Sequence, residues 1–162
     1  MAYGDEFSRR LASAWILLCL ALGLHVFDEA TTGFLRVYNP TVIALRERLG
    51  WWPMPTFEFG AWLSGLIIAV AVLLVLTPLV SRGVVGTRAF AYIFAVIMLI
   101  NALGHTLATI CGQTVSSVTF PRPAPGFWSS PLMAAAAIYL LVQLRHSAPG
   151  RRDEPARVLT PR

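Results

Sequence analysis

The chain has 162 residues, of which 56% are hydrophobic and only 13% charged, against about 45–50% and about 25% in an average soluble domain. A mean hydropathy of +0.65 describes a molecule that is apolar outside as well as inside, which argues against both a disordered chain and an ordinary water-soluble domain. The length suits a single domain. The net charge of +5 does not signal nucleic-acid binding, because every basic residue is an arginine and these stand in short clusters between apolar runs. That is the place of flanks to membrane spans, not of a basic face. Cys19 and Cys111 lie within apolar segments, where a free cysteine behaves as a small hydrophobe and no disulfide framework is implied.

In chain order, the first apolar stretch reads LASAWILLCLALGLHVF and predicts a span over residues 11–30, marginally long enough against the about 20 residues that cross a bilayer. Arg9 and Arg10 before it suggest a signal peptide, with a faint twin-arginine pattern, but no small-x-small cleavage site follows. A second span is predicted over 58–80 and a third over 84–111, interrupted only by Arg88, Asn101 and His105. The fourth, over 127–145, contains MAAAAIYLLV and stops at Arg145. Nothing alternates with the period of a barrel strand, so the expected fold class is an all-α membrane protein, a four-helix transmembrane bundle occupying residues 1–146. Ala134–Ala137, Gly60 and Ser64 offer close helix contacts inside it. From Ser147 onward, prolines and mixed charge predict a disordered tail.

The first loop, Thr31 to Thr56, is too long for a simple turn. Within it Asn39-Pro40 followed by TVIALRERL and Gly50 reads as a short interfacial helix, with Asn39 as N-cap, Pro40 at the first helical position and Gly50 as its stop. Val42, Ile43, Leu45 and Leu49 provide its apolar side, and Trp51 and Trp52 follow as belt anchors. With four spans, Arg9, Arg10, Arg82, Arg88, Arg145, Arg151, Arg152, Arg157 and Arg162 share one side, and Arg36, Arg46, Arg48 and Arg122 the other. The positive-inside rule then places both termini in the cytoplasm and the first and third loops outside.

Residues that a membrane should reject gather at one depth. His25, Asp28 and Glu29 stand at i, i+3 and i+4 at the outward end of the first helix, Asn101 and His105 at i and i+4 near the outward end of the third, and Glu58 opens the second. Taken singly each has an ordinary explanation: Asp28 and Glu29 as the point where a helix leaves the bilayer, Glu58 as a complement to a helix dipole, Ser129-Ser130 as a cap for the last helix. As a set they form a candidate site, since ionisable groups in a span are costly unless paired, hydrated or metal-bound.

The pattern His25-x-x-Asp28-Glu29, Asn101 followed four residues later by His105, and Pro125-Gly126 before the last helix resembles the HXXEE domain family of small bacterial membrane proteins. The likeness runs over residues 11–144. It implies a fold, a bacterial inner-membrane location and a site, but no reaction. The family motif has Glu where this chain has Asp28, and Tyr where it has Pro123.

Two histidines with carboxylates are the ligand types that suit zinc, iron or manganese. The expected ligands are His25, Asp28, Glu29 and His105, supported by Asn101 and Glu58, with membrane lipid or a small amphiphile as the substrate class. Metal-free acid–base work or proton movement by the same residues is an alternative, as is a non-catalytic accessory subunit. There is no phosphate loop, no redox CxxC, and no recognisable hydrolase context around Ser116, Ser117, Ser129 or Ser130.

Overall fold

Helices occupy all four apolar stretches, as expected of sequences whose backbone has to satisfy itself internally. The computed structural model describes residues 2–115 and 118–146. Its elements are α1 (Ala2–Thr32), α2 (Leu35–Leu49), α3 (Phe59–Val75), α4 (Thr77–Ser81), α5 (Thr87–Cys111), a hairpin of β1 (Gln113–Val115) and β2 (Val118–Thr119), and α6 (Ser130–His146). The chain is therefore mostly helical. The tail from Ser147, and Ser116 and Ser117, lie outside the described residues.

The central element is α1, which packs against α3, α4 and α6, while α5 makes its main contact with α6. Its inward face repeats at helical spacing through Leu11, Ala14, Trp15, Leu18, Leu22, His25 and Val26, all buried. Ala91, Ala95 and Ala102 of α5 and Ala136 and Ala137 of α6 are buried too, and such small residues let helix backbones approach closely. Gly60 and Ser64, expected to serve the same purpose, are instead exposed, and nothing stands within 4 Å of a Cβ placed on Gly60.

The outward faces are equally apolar: Leu20, Leu24 and Phe27 on α1, Ile67 and Ile68 on α3, and Ile93, Ile97, Ile100 and Leu107 on α5 are exposed. An apolar surface of that extent marks a membrane or a protein partner. Two helices are long and apolar enough to cross a membrane, Ser8–Thr32 within α1 and Thr87–Cys111, while α3 is a shorter apolar helix of 17 residues.

The second apolar stretch does not run unbroken from 58 to 80. Pro78 has no N–H and restricts Thr77 before it, so the helix yields at Leu76 and restarts as α4. Carbonyls at the end of α3 find side-chain donors: the Thr77 hydroxyl bonds Leu74 O at 2.6 Å and the Trp15 indole N–H bonds Leu73 O at 2.9 Å.

The first loop also differs from expectation. Gly33, at φ +82°, ends α1 in the left-handed conformation, and α2 restarts at Leu35, so the helix begins four residues before Asn39 and holds Pro40 in its interior. Asn39 is not a cap; its amide donates to Phe57 O at 2.9 Å and its carbonyl oxygen accepts the Phe57 N–H at 3.0 Å. Arg46 and Tyr38 donate likewise to Met54 O and Pro55 O, and burial pushes the Tyr38 phenol above its ordinary pKa, keeping it a donor. These bonds fold the Trp51–Phe57 segment back along α2, with Gly50 as the expected left-handed stop. The last helix starts at Ser130 rather than 127, because residues 124–127 form a turn.

Trp15 is fully buried and tilts against Phe90 and Phe94, with ring centroids 5.9 and 5.3 Å away. Replacing Trp15 with Phe keeps most of that packing but leaves the Leu73 carbonyl without its donor. The expected loss is about 1–3 kcal/mol of stability in detergent, read from the denaturant midpoint, and an unchanged midpoint would show that the bond contributes nothing.

Candidate metal centre

The site begins with helical rotation. At about 100° per residue, Glu29 lies about 40° to one side of His25 and Asp28 about 60° to the other. The three residues therefore do not act on one face together, as their spacing first suggests. Glu29 turns toward His105 of α5, and Asp28 turns toward the first turn of α6.

On the Glu29 side, three ligand-type atoms converge. The Nε2 atoms of His25 and His105 stand 3.2 Å apart, and Glu29 Oε1 lies 3.1 Å from His105 Nε2 and 3.5 Å from His25 Nε2. The two rings meet edge to face with centroids 4.7 Å apart. All three residues are buried. Asn101, one turn before His105 on α5, brings its amide nitrogen to 3.3 Å from His25 Nε2.

On the Asp28 side, Ser129 makes the link. Asp28 Oδ2 accepts the Ser129 backbone N–H at 2.9 Å and its hydroxyl at 2.8 Å. With its proton committed to the carboxylate, the hydroxyl oxygen accepts from His25 Nδ1 at 2.8 Å. The bond network thereby assigns the Nδ1–H tautomer to His25 and leaves the Nε2 lone pair facing Glu29 and His105. Asp28 thus stands on the other side of His25, outside the group of His25, Glu29 and His105. The sequence offers Ser129 only as a cap, and it does accept the Met133 N–H through its carbonyl. What its side chain bonds depends on a residue 101 positions away.

The turn before α6 closes the site. Ala124 O accepts the Phe127 N–H at 3.1 Å, with Pro125 and Gly126 between them, the residue order of a type II turn. Thr109 ties the turn to α5, accepting the Ala124 N–H and donating to the His105 carbonyl. Gly126 has φ +79°, and a Cβ there would stand 2.9 Å from His105 Cε1 and Nδ1 and from His25 Cε1. The absence of a side chain is what lets both imidazoles approach. Pro125 beside it is fully buried. Glu58, by contrast, is exposed at the N-terminus of α3, makes no capping bond and does not join the group.

His25, Glu29 and His105 could hold a metal ion. Ligand atoms about 2.0–2.1 Å from a tetrahedral zinc stand about 3.3–3.4 Å from one another, and the three separations here are 3.1, 3.2 and 3.5 Å. Two histidines and a glutamate also form a known catalytic zinc set that leaves a fourth position open. Among the described residues the ion pairs of Glu29 go only to the two imidazoles.

Gly126→Ala is expected to destabilise the protein by about 1–3 kcal/mol, from the left-handed backbone alone, and to push the imidazoles apart. Unfolding midpoints of the variant and of Gly104→Ala, where a Cβ meets open space, measure this; equal losses at both positions would remove Gly126 from the site. No family model, curated protein or solved structure matches the chain, so the chemistry of the site is read from its own residues.

Proposed function

We propose that the protein is a four-span integral membrane protein of the HXXEE type, with both termini cytoplasmic. In it, His25, Glu29 and His105 bind one zinc, iron or manganese ion and act on a lipid-like or small amphiphilic molecule reaching the outward end of the bundle. The observation that carries this is the triangle of buried ligand atoms, sized for a single ion and preset by the Asp28–Ser129–His25 bonds. Metal-bound histidines ordinarily have their other ring nitrogen held in this way by a second group. The membrane placement is supported by the apolar outer faces of α1, α3 and α5 and, with four spans, by nine of the thirteen arginines falling on the side opposite the acid and histidine set.

A divalent metal in this position supplies Lewis-acid activation of water or of a substrate oxygen. The protein's own contribution is orientation. Asp28 and Ser129 hold His25 in the tautomer that offers Nε2, Asn101 restrains the same ring, and Gly126 lets the His105 ring close in. Glu29 belongs both to the triangle and to the wall of a cavity of about 290 Å³ between α1, α2 and α3. That cavity is the path by which a substrate meets the group.

One feature favours a second reading, metal-free acid–base catalysis. Among the described residues no buried polar side-chain atom lacks a partner, so a proton on His105 Nε2, shared toward Glu29 and His25, suffices without any ion. Elemental analysis of detergent-purified protein separates the two. About one equivalent of zinc, iron or manganese is expected in the wild type and less than about 0.1 in His25→Ala, Glu29→Gln or His105→Ala. Ser129→Ala should weaken the metal about 10–100-fold without abolishing it. A wild type that stays metal-free after incubation with each ion would leave the acid–base reading standing alone.

Topology is tested separately. A reporter fused after Arg145 is expected to be active only in the cytoplasmic form, and an external signal would reverse the sidedness.

A further inference from the structure

The cavity beside Glu29 has a built chemical character of its own. Its walls are aromatic: Phe34 stacks on Trp62 with centroids 5.8 Å apart, Phe59 tilts against the same indole at 6.0 Å, and Phe34 reaches the His105 ring at 5.9 Å. An apolar surface thus runs from the cavity to the imidazole group. At the cavity wall stands one cation, Arg36. Its guanidinium makes no hydrogen bond or ion pair among the described residues. The residue is exposed. The left-handed turn at Gly33 sends α2 off at once, and the Arg36 stem lies back over Gly33, with its Cδ 3.3 Å from where a Cβ would stand.

Apolar walls, a single unpaired guanidinium and a carboxylate at one edge define the occupant by its chemistry. A guanidinium prefers planar or tetrahedral oxyanions, phosphate or carboxylate, over neutral heads. The volume of about 290 Å³ is at the low end for small-molecule pockets, which suits a head group and the start of one chain rather than a two-chain lipid taken in whole. Half-buried Leu63 and Leu66 follow Phe59 and Trp62 on the same side of α3, where the rest of a chain would lie.

We propose that this cavity binds a single-chain anionic amphiphile, with its charged head on Arg36 and its hydrocarbon along Phe59 and Trp62, so that the bond joining head to chain lies beside Glu29. This names the substrate class of the proposed metal site and rests on that reading for its catalytic meaning. Binding itself does not require the metal.

The test uses the full chain in a neutral maltoside detergent and bromine quenching of tryptophan fluorescence. The probes are dodecyl phosphate, dodecanol and dodecyl trimethylammonium, each brominated on the chain carbons next to the head. Half-quenching by the phosphate is expected at a concentration about tenfold below that for the alcohol, the scale of one charge-assisted contact, with the cation weakest. Arg36→Gln should erase the preference and Arg36→Lys should keep part of it. The phosphate-specific quenching should vanish in Trp62→Phe, and inorganic phosphate at the same concentration should not reverse it. Equal quenching by phosphate and alcohol in the wild type, or a preference that survives Arg36→Gln in folded protein, would overturn the proposal, and reversal by inorganic phosphate would overturn the amphiphile in favour of a bare anion site. His105→Ala separates the two readings: metal-free protein that keeps the preference establishes the cavity independently of the metal. A wild type that holds metal but shows no preference overturns the cavity proposal alone.

Discussion

A carboxylate cannot be buried without donors, and Asp28 finds both of its donors in one residue, Ser129. This contact joins the end of α1 to the start of α6 and sets the register in which the two helices pack. Because the same hydroxyl accepts from His25, it also decides the tautomer of the imidazole. Because Ser129 follows directly on the Pro125-Gly126 turn, it brings Gly126 over the two rings. Orientation of the polar group, the entry of α6 and the closeness of His25 to His105 are consequences of one charge needing two hydrogen bonds.

Apolar packing alone would not enforce so definite an arrangement. The helices carry apolar residues on their outer as well as their inner faces, and in the bilayer proposed for them the hydrophobic effect would give one apolar helix little reason to prefer its neighbour to lipid. Close approach of small residues and interhelical polar contacts are then the discriminating forces. Both are present: alanines where α5 meets α6, and polar contacts where α1 meets α6, α5 and, through the Trp15 indole, α3.

The same end of the molecule carries a cavity whose aromatic wall is continuous with the imidazole group. Glu29 lies at their junction, and its backbone carbonyl also receives the N–H groups of Gly33 and Phe34 at the corner where α1 gives way to α2. The corner that shapes the cavity and the carboxylate that faces the imidazoles are therefore parts of one turn of helix. Polar groups and a cavity wall placed on the ends of rigid helices hold their geometry better than groups on a loose connection would.

Much of the fold was legible in the sequence. Long apolar runs form helices in any low-dielectric setting, so α1, α3, α5 and α6 follow from composition, and the stop at Gly50 follows from local backbone preference. The polar set was legible too, since His25, Glu29, Asn101 and His105 stand out against their surroundings. Less accessible was anything that depends on which donor a side chain finds. Asn39 reads as a helix cap but bonds Phe57; the Leu76 break requires weighing Pro78 against a strongly apolar run; and Glu58 looks like a site residue yet stays exposed. Asp28 and Glu29 are adjacent in sequence and chemically alike, and helical rotation alone points them apart. That one meets Ser129 and the other His105 depends on partners about 76 to 101 positions away, whose approach is set by the packing of whole helices. By itself the sequence determined which segments are helical and which residues are too polar to lie there by chance, because both are properties of local composition and period. Only the tertiary structure decided the division into a His25–Glu29–His105 triangle and an Asp28–Ser129–His25 chain of bonds, because a hydrogen bond is specific in distance and direction and these are properties of the packed molecule.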